Sequence, residues 1–162
     1  MSDDSLWASG GNPRRVFVER TYRVSPETAF DAWINPDSLT RWFGPPGFTA
    51  RILTHDPRVG GTWRFNMRSV EGESYHHFGQ FVEVTPPRKL VFTWASEEQV
   101  EGWRDEKNAP TVVTVEFTPC PEGTKVTVTH EKLISDMARD ALTRGWGGGL
   151  ECLEDFFADQ SA

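Results

Sequence analysis

Residues 135–158, SDMARDALTRGWGGGLECLEDFFA, decide the fold. Ala138, Leu142, Trp146, Leu150, Leu153 and Phe157 recur at three- or four-residue spacing, which lays them along one side of an α-helix. Arg139, Asp140, Arg144, Glu151 and Asp155 take much of the remaining surface. Ser135 is placed to cap the helix, and Asp136 sits in the first turn, where the helix dipole favours an anion. Gly145, Gly147, Gly148 and Gly149 interrupt the pattern, and each weakens a helix interior by roughly 1 kcal/mol relative to Ala. Three arrangements would offset that loss: a bend, a close backbone approach by another surface, or space left open beside the helix.

The upstream sequence supplies a partner for the apolar side. Residues 16–24, VFVERTYRV, alternate as a strand. Ser25-Pro26 then opens a short helix with Ala29, Phe30, Trp33 and Ile34 on one side, and Asn35-Pro36 repeats the device for a second, with Leu39, Trp42 and Phe43. Gly44-Pro45-Pro46-Gly47 stops it. Short alternating runs follow at 48–55, 62–68, 75–84, 89–95, 112–118 and 124–131, divided by turns such as Asp56-Pro57-Arg58-Val59-Gly60-Gly61. Trp63, Phe65 and Met67 share a face, as do Leu90, Phe92 and Trp94, and Val113, Val115 and Phe117. Such spacing predicts an antiparallel meander. The expected order is one strand, two short helices, six strands and one long helix. A sheet of this kind has one face to bury, and the long helix can cover it. A strongly curved sheet would leave a cavity against the helix, closed at one end by the short helices. Residues 1–14 read as a flexible lead-in, and 15–162 as one domain.

Composition narrows the function. The net charge is −7 with no basic cluster, which argues against nucleic acid and anionic membrane surfaces as partners. No apolar run reaches membrane-spanning length, no signal peptide is visible, and Cys120 and Cys152 make no disulfide framework. A cytoplasmic protein, monomeric or homodimeric, is the expectation. Seven Trp and eleven Phe point to a core of large flat side chains, or to an aromatic-lined pocket.

Several motifs in order carry a resemblance: Ala29-Phe30-Asp31-Ala32-Trp33 with Asn35-Pro36, Trp42-Phe43-Gly44-Pro45, Asp56-Pro57-Arg58-Val59-Gly60-Gly61, Gly79 with Glu83, Pro86-Pro87-Arg88-Lys89-Leu90-Val91-Phe92-Thr93-Trp94, Gly123-Thr124, Thr129-His130 and Gly145-Trp146. Through them the chain resembles the helix-grip superfamily of START lipid-binding domains, polyketide cyclases and the birch-pollen allergen. More narrowly, it is similar to bacterial proteins related to the C-terminal domain of the activator of the heat-shock protein 90 ATPase. The resemblance implies an α+β helix-grip fold, a curved antiparallel sheet around a long C-terminal helix. It constrains function less, because the superfamily hosts binders, enzymes and co-chaperones.

The chemistry-bearing residues give few leads. His76 and His77 are neighbours in a strand, so they point to opposite faces and cannot share a metal. His55 ends a strand and is expected to be exposed. His130 shares a face with Val126 and Val128, where it either makes structural hydrogen bonds or anchors a ligand. No metal-ligand spacing, activated cysteine, nucleophile elbow or phosphate loop is present, so no metal and no cofactor is expected. The acidic run of Glu97, Glu98, Glu101, Asp105 and Glu106 around Trp103 reads as a solvated tip or a lid. The expected function is binding of a small apolar or amphipathic molecule between sheet and helix. The expected walls are Trp33, Phe43 and Phe48, then Trp63, Phe65 and Met67, then Phe92, Trp94 and Phe117, with His130, Leu142 and Trp146. A protein-interaction module and a cyclase- or aromatase-like enzyme using the same pocket are the alternatives.

Overall fold

The computed structural model describes residues 15–44, 47–96, 111–133 and 136–161. The lead-in at 1–14, the acidic run within 97–110 and the Ser135 cap lie outside the described residues.

Strand β1 (Val16–Tyr22) is followed by helices α1 (Pro26–Ile34) and α2 (Pro36–Trp42). The Ser25 side chain accepts from the Thr28 N–H at 3.2 Å, and Pro26 occupies the first helical position, where no N–H is needed. Asn35 serves both helices. Its backbone N–H donates to the Asp31 carbonyl and closes α1, while its side-chain oxygen accepts from the Asp37 N–H and opens α2. Ala29, Phe30, Ala32, Trp33, Leu39 and Trp42 are buried, and the Trp42 Nε1–H donates to the Ala32 carbonyl at 2.8 Å, tying the helices together.

Six strands follow: β2 (Phe48–His55), β3 (Thr62–Ser69), β4 (Ser74–Thr85), β5 (Lys89–Ser96), β6 (Thr111–Cys120) and β7 (Gly123–Glu131). The sheet order is β1-β7-β6-β5-β4-β3-β2, with every neighbouring pair antiparallel. The register skips at Leu53 in β2 and at Val82 in β4. Such bulges bend a strand and increase its twist. They also explain why both apolar side chains are exposed: an extra residue falls out of the inward alternation. At Gly79 in β4 a Cβ would lie 1.9 Å from the Thr93 carbonyl oxygen of β5. Only glycine fits there.

Helix α3 (Asp136–Ser161) runs unbroken and lies across the concave side, against β1 and α2. Leu142, Trp146, Leu150, Leu153, Phe156 and Phe157 are buried in the same cluster as Trp63, Phe65, Met67, Phe92, Trp94 and Phe117. At the β1 end the Tyr22 hydroxyl donates to the Leu150 carbonyl at 2.8 Å, and its ring meets Phe157 edge-on. Burial holds this phenol protonated by raising its pKa well above the ordinary value. Arg20 and Glu154 pair close by but are largely exposed, and such pairs contribute at most about 1 kcal/mol. The buried aromatic face therefore does most of the holding. The fold is α+β: a curved seven-stranded antiparallel sheet wrapped around a C-terminal helix, with two short helices after the first strand.

Candidate functional site

The sheet and α3 do not close completely on one another. A cavity of about 270 Å³ lies between them, near the lower limit of ~300–1,000 Å³ for small-molecule pockets. The end of α2 contributes Trp42, Phe43 and Gly44; β2 and β3 contribute Phe48 and Met67; β4 and β5 contribute Tyr75, His77 and Trp94. Helix α3 supplies the roof with Ala141, Leu142, Gly145, Trp146 and Gly149. A Cβ built on Gly145 would meet nothing within 4 Å, and one on Gly149 would only touch the Gly44 backbone at 3.7 Å. Of the three arrangements that could accommodate helix glycines, these two positions therefore show open space and ordinary contact, in a helix that does not break.

Trp146 is fixed among aromatic rings. It stacks on Trp33 at 5.9 Å and meets Phe43 and Trp94 at 6.0 and 5.5 Å. Its Nε1–H donates to His130 Nδ1 at 3.1 Å. An indole N–H can only donate, so Nδ1 must be unprotonated and Nε2 must carry the proton. Nε2 then donates to Thr111 Oγ1 at 2.6 Å, and the Thr111 hydroxyl donates to the Trp94 carbonyl at 2.8 Å. This chain links α3 to three strands and uses both ring nitrogens of His130. Burial, with His77 adding a smaller effect, lowers the His130 pKa to about 3, so the ring is neutral.

The aromatic residues expected on the wall separate into groups. Phe43, Phe48, Met67, Trp94, Leu142 and Trp146 surround the large cavity. Trp33, Trp63, Phe65 and Phe92, again with Phe43, surround a second space of about 20 Å³. Phe117 packs edge-on against Phe30 and Trp33, and His130 lies behind Trp146; neither borders the large or the second space. His55 is half-buried instead of exposed. Its Nε2–H donates to the Ile34 carbonyl at 2.8 Å, one of the carbonyls an α-helix leaves free at its end, and burial lowers its pKa.

Apolar alternation does not reveal Tyr75 and His77 as wall residues, because one carries a hydroxyl and the other an imidazole. Their two-residue spacing with Gly79 and the buried Phe81 was the available signal. Among the described residues no group of three His, Cys, Asp or Glu side chains could hold a metal ion, and no helix is long and apolar enough to cross a membrane.

Sheet, helix and cavity together define a helix-grip protein. The chain belongs to the family described as activator of Hsp90 ATPase homolog 1-like protein, whose match covers residues 23–158. Solved structures share the fold. The AHSA1 protein of Silicibacter pomeroyi is 25% identical with a TM-score of 0.78, over 90% of this chain and 99% of that one. A protein of Chromobacterium violaceum is 21% identical with a TM-score of 0.78, over 89% and 96%. A protein of Arthrobacter aurescens, solved by NMR, is 21% identical with a TM-score of 0.78, over 90% and 86%. Among proteins of curated function, none matches this chain.

Proposed function

We propose that this protein binds a small apolar or amphipathic molecule in the cavity between the sheet and α3. The observation that carries the reading is Gly145: it faces the cavity in a helix interior, and nothing lies within 4 Å of where its Cβ would be. A residue selected for helix stability alone would be Ala or larger here. The glycine supports a cavity kept open against that preference. Trp42, Phe43, Phe48 and Trp146 offer the apolar area that drives such binding, roughly 25 cal/mol per Å² removed from water.

The test is a titration with apolar and amphipathic probes, read by tryptophan fluorescence, on the wild type and on Gly145→Leu. The leucine side chain extends into the cavity without striking its wall at the first carbon. Saturable binding by the wild type, weakened at least tenfold in the variant with unchanged circular dichroism, is the expected result. Absence of saturable binding, or equal binding by a folded Gly145→Leu protein, would overturn the reading.

A further inference from the structure

The wall of the cavity differs from one end to the other. Trp42, Phe43, Met67, Trp94, Leu142 and Trp146 border it and are all buried. Phe48, Tyr75, His77, Ala141 and Gly145 border it and are half-buried. These half-buried residues sit together. The Phe48 and Tyr75 ring centroids are 6.3 Å apart, Tyr75 and His77 follow one another along the same face of β4, and Ala141 and Gly145 are one turn apart on α3. The cavity therefore has a floor of buried side chains and a rim, between β4 and α3, that meets solvent. The two ends offer different chemistry. At the rim the Tyr75 hydroxyl donates to the exposed Glu73 carboxylate at 3.1 Å, so a polar group there stays among polar partners and water. Among the described floor residues no side-chain N–H is open to a ligand. The Trp42 N–H is held by the Ala32 carbonyl and the Trp146 N–H by His130, while the Trp94 N–H is sealed from solvent. Among the described wall residues only His77 can carry a positive charge; it stands at the rim, and its Nδ1 is sealed as well. A polar group pressed onto the floor would lose its water and gain no partner.

We propose that the cavity takes an amphipathic molecule by one end: a compact apolar ring system lies on the floor, and every polar group stays at the rim between β4 and α3. The proposal rests on the binding function proposed above. Volume sets the size of the body. A cavity of about 150 Å³ admits one benzene ring, so one of about 270 Å³ admits roughly two fused rings. The floor favours rings, because the faces and edges of Trp42, Phe43, Trp94 and Trp146 pair well with other aromatic groups. Polarity sets the direction, since only the rim leaves a hydroxyl or similar group hydrated.

Calorimetric titration at about pH 8, where an ordinary imidazole is uncharged, tests this with two sets of uncharged alcohols. The size series is benzyl alcohol, naphthalenemethanol and anthracenemethanol, each substituted at the end of its ring system. The matched pair is two isomers of naphthalenedimethanol, one with both hydroxyl groups at the same end and the other with one at each end. Naphthalenemethanol should bind about tenfold or more tighter than benzyl alcohol, from the added apolar area, and anthracenemethanol no tighter than naphthalenemethanol. The same-end isomer should bind about tenfold or more tighter than the two-ended one, which must strand a hydroxyl on the floor. The two isomers have the same composition, so general apolar attraction cannot separate them. Equal binding of the isomers, or tighter binding of anthracenemethanol, would overturn the proposal and leave apolar binding in place. In Gly145→Leu, folded by circular dichroism, the same-end isomer should lose about tenfold or more. Unchanged binding there would place the ligand elsewhere and overturn both readings. Failure of every probe to bind would remove the function itself.

Discussion

His130 shows how much one residue can do when both of its ring nitrogens are committed. Its Nδ1 receives the Trp146 indole and its Nε2 reaches Thr111, so helix α3 and the sheet share one buried hydrogen-bond chain. His130→Leu keeps much of the volume but strands the Trp146 N–H and removes a donor from Thr111. We predict a loss of roughly 1–3 kcal/mol for each buried group left unmet, measured by denaturant melts. A variant as stable as the wild type would show that the chain carries no such weight. The inward direction of this side chain was legible from its spacing with Val126 and Val128. Its partner was not, because Trp146 arrives from another element and strand alternation contains no information about what crosses the sheet.

For the elements, glycines separate two kinds of constraint. Gly145→Ala adds a methyl group where nothing lies within 4 Å, so we predict a gain of up to about 1 kcal/mol from helix propensity, together with a smaller cavity. Gly79→Ala drives a methyl group onto the Thr93 carbonyl, and we predict a loss of roughly 1–3 kcal/mol or more. Thermal melts of the two variants should move in opposite directions; a shared direction would contradict the geometry. Asn35→Ala removes the side-chain cap of α2 and should cost about 1 kcal/mol, visible in the same melts. The caps at Ser25 and Asn35, the alternation of Trp63, Phe65 and Met67, and the periodicity of Leu142, Trp146, Leu150 and Leu153 were all legible in the sequence, because each is a local pattern. Depth was not. Trp63 and Phe92 point inward like Trp94, yet only Trp94 meets the large cavity, since alternation assigns a face and curvature decides what stands opposite. The bulges at Leu53 and Val82, which help set that curvature, leave little trace beyond one apolar residue out of phase.

For the molecule as a whole, the histidines set an acid limit. Burial lowers the His130 pKa from its ordinary value of 6.5 to about 3, and that of His55 shifts the same way. Unfolding therefore takes up protons between those limits. The stability contributed is complete above about pH 6.5 and is lost as pH falls toward 3, by up to about 1.4 kcal/mol per pH unit for each proton taken up. Denaturant midpoints should fall steadily on acidification below neutrality, and less steeply in His130→Leu; parallel slopes would rule out this histidine as the cause. Connectivity has a consequence of another sort. Among the described residues strand β1 pairs only with β7, and Tyr22 reaches a carbonyl 128 residues further along the chain. During synthesis the first strand has no described sheet partner until β7 (Gly123–Glu131) has emerged. Pairings so distant in sequence are slow, and a strand awaiting one is open to aggregation. The chain is therefore built to finish folding only after translation has passed its last strand, with Val16 and Tyr22 uncovered in the interval.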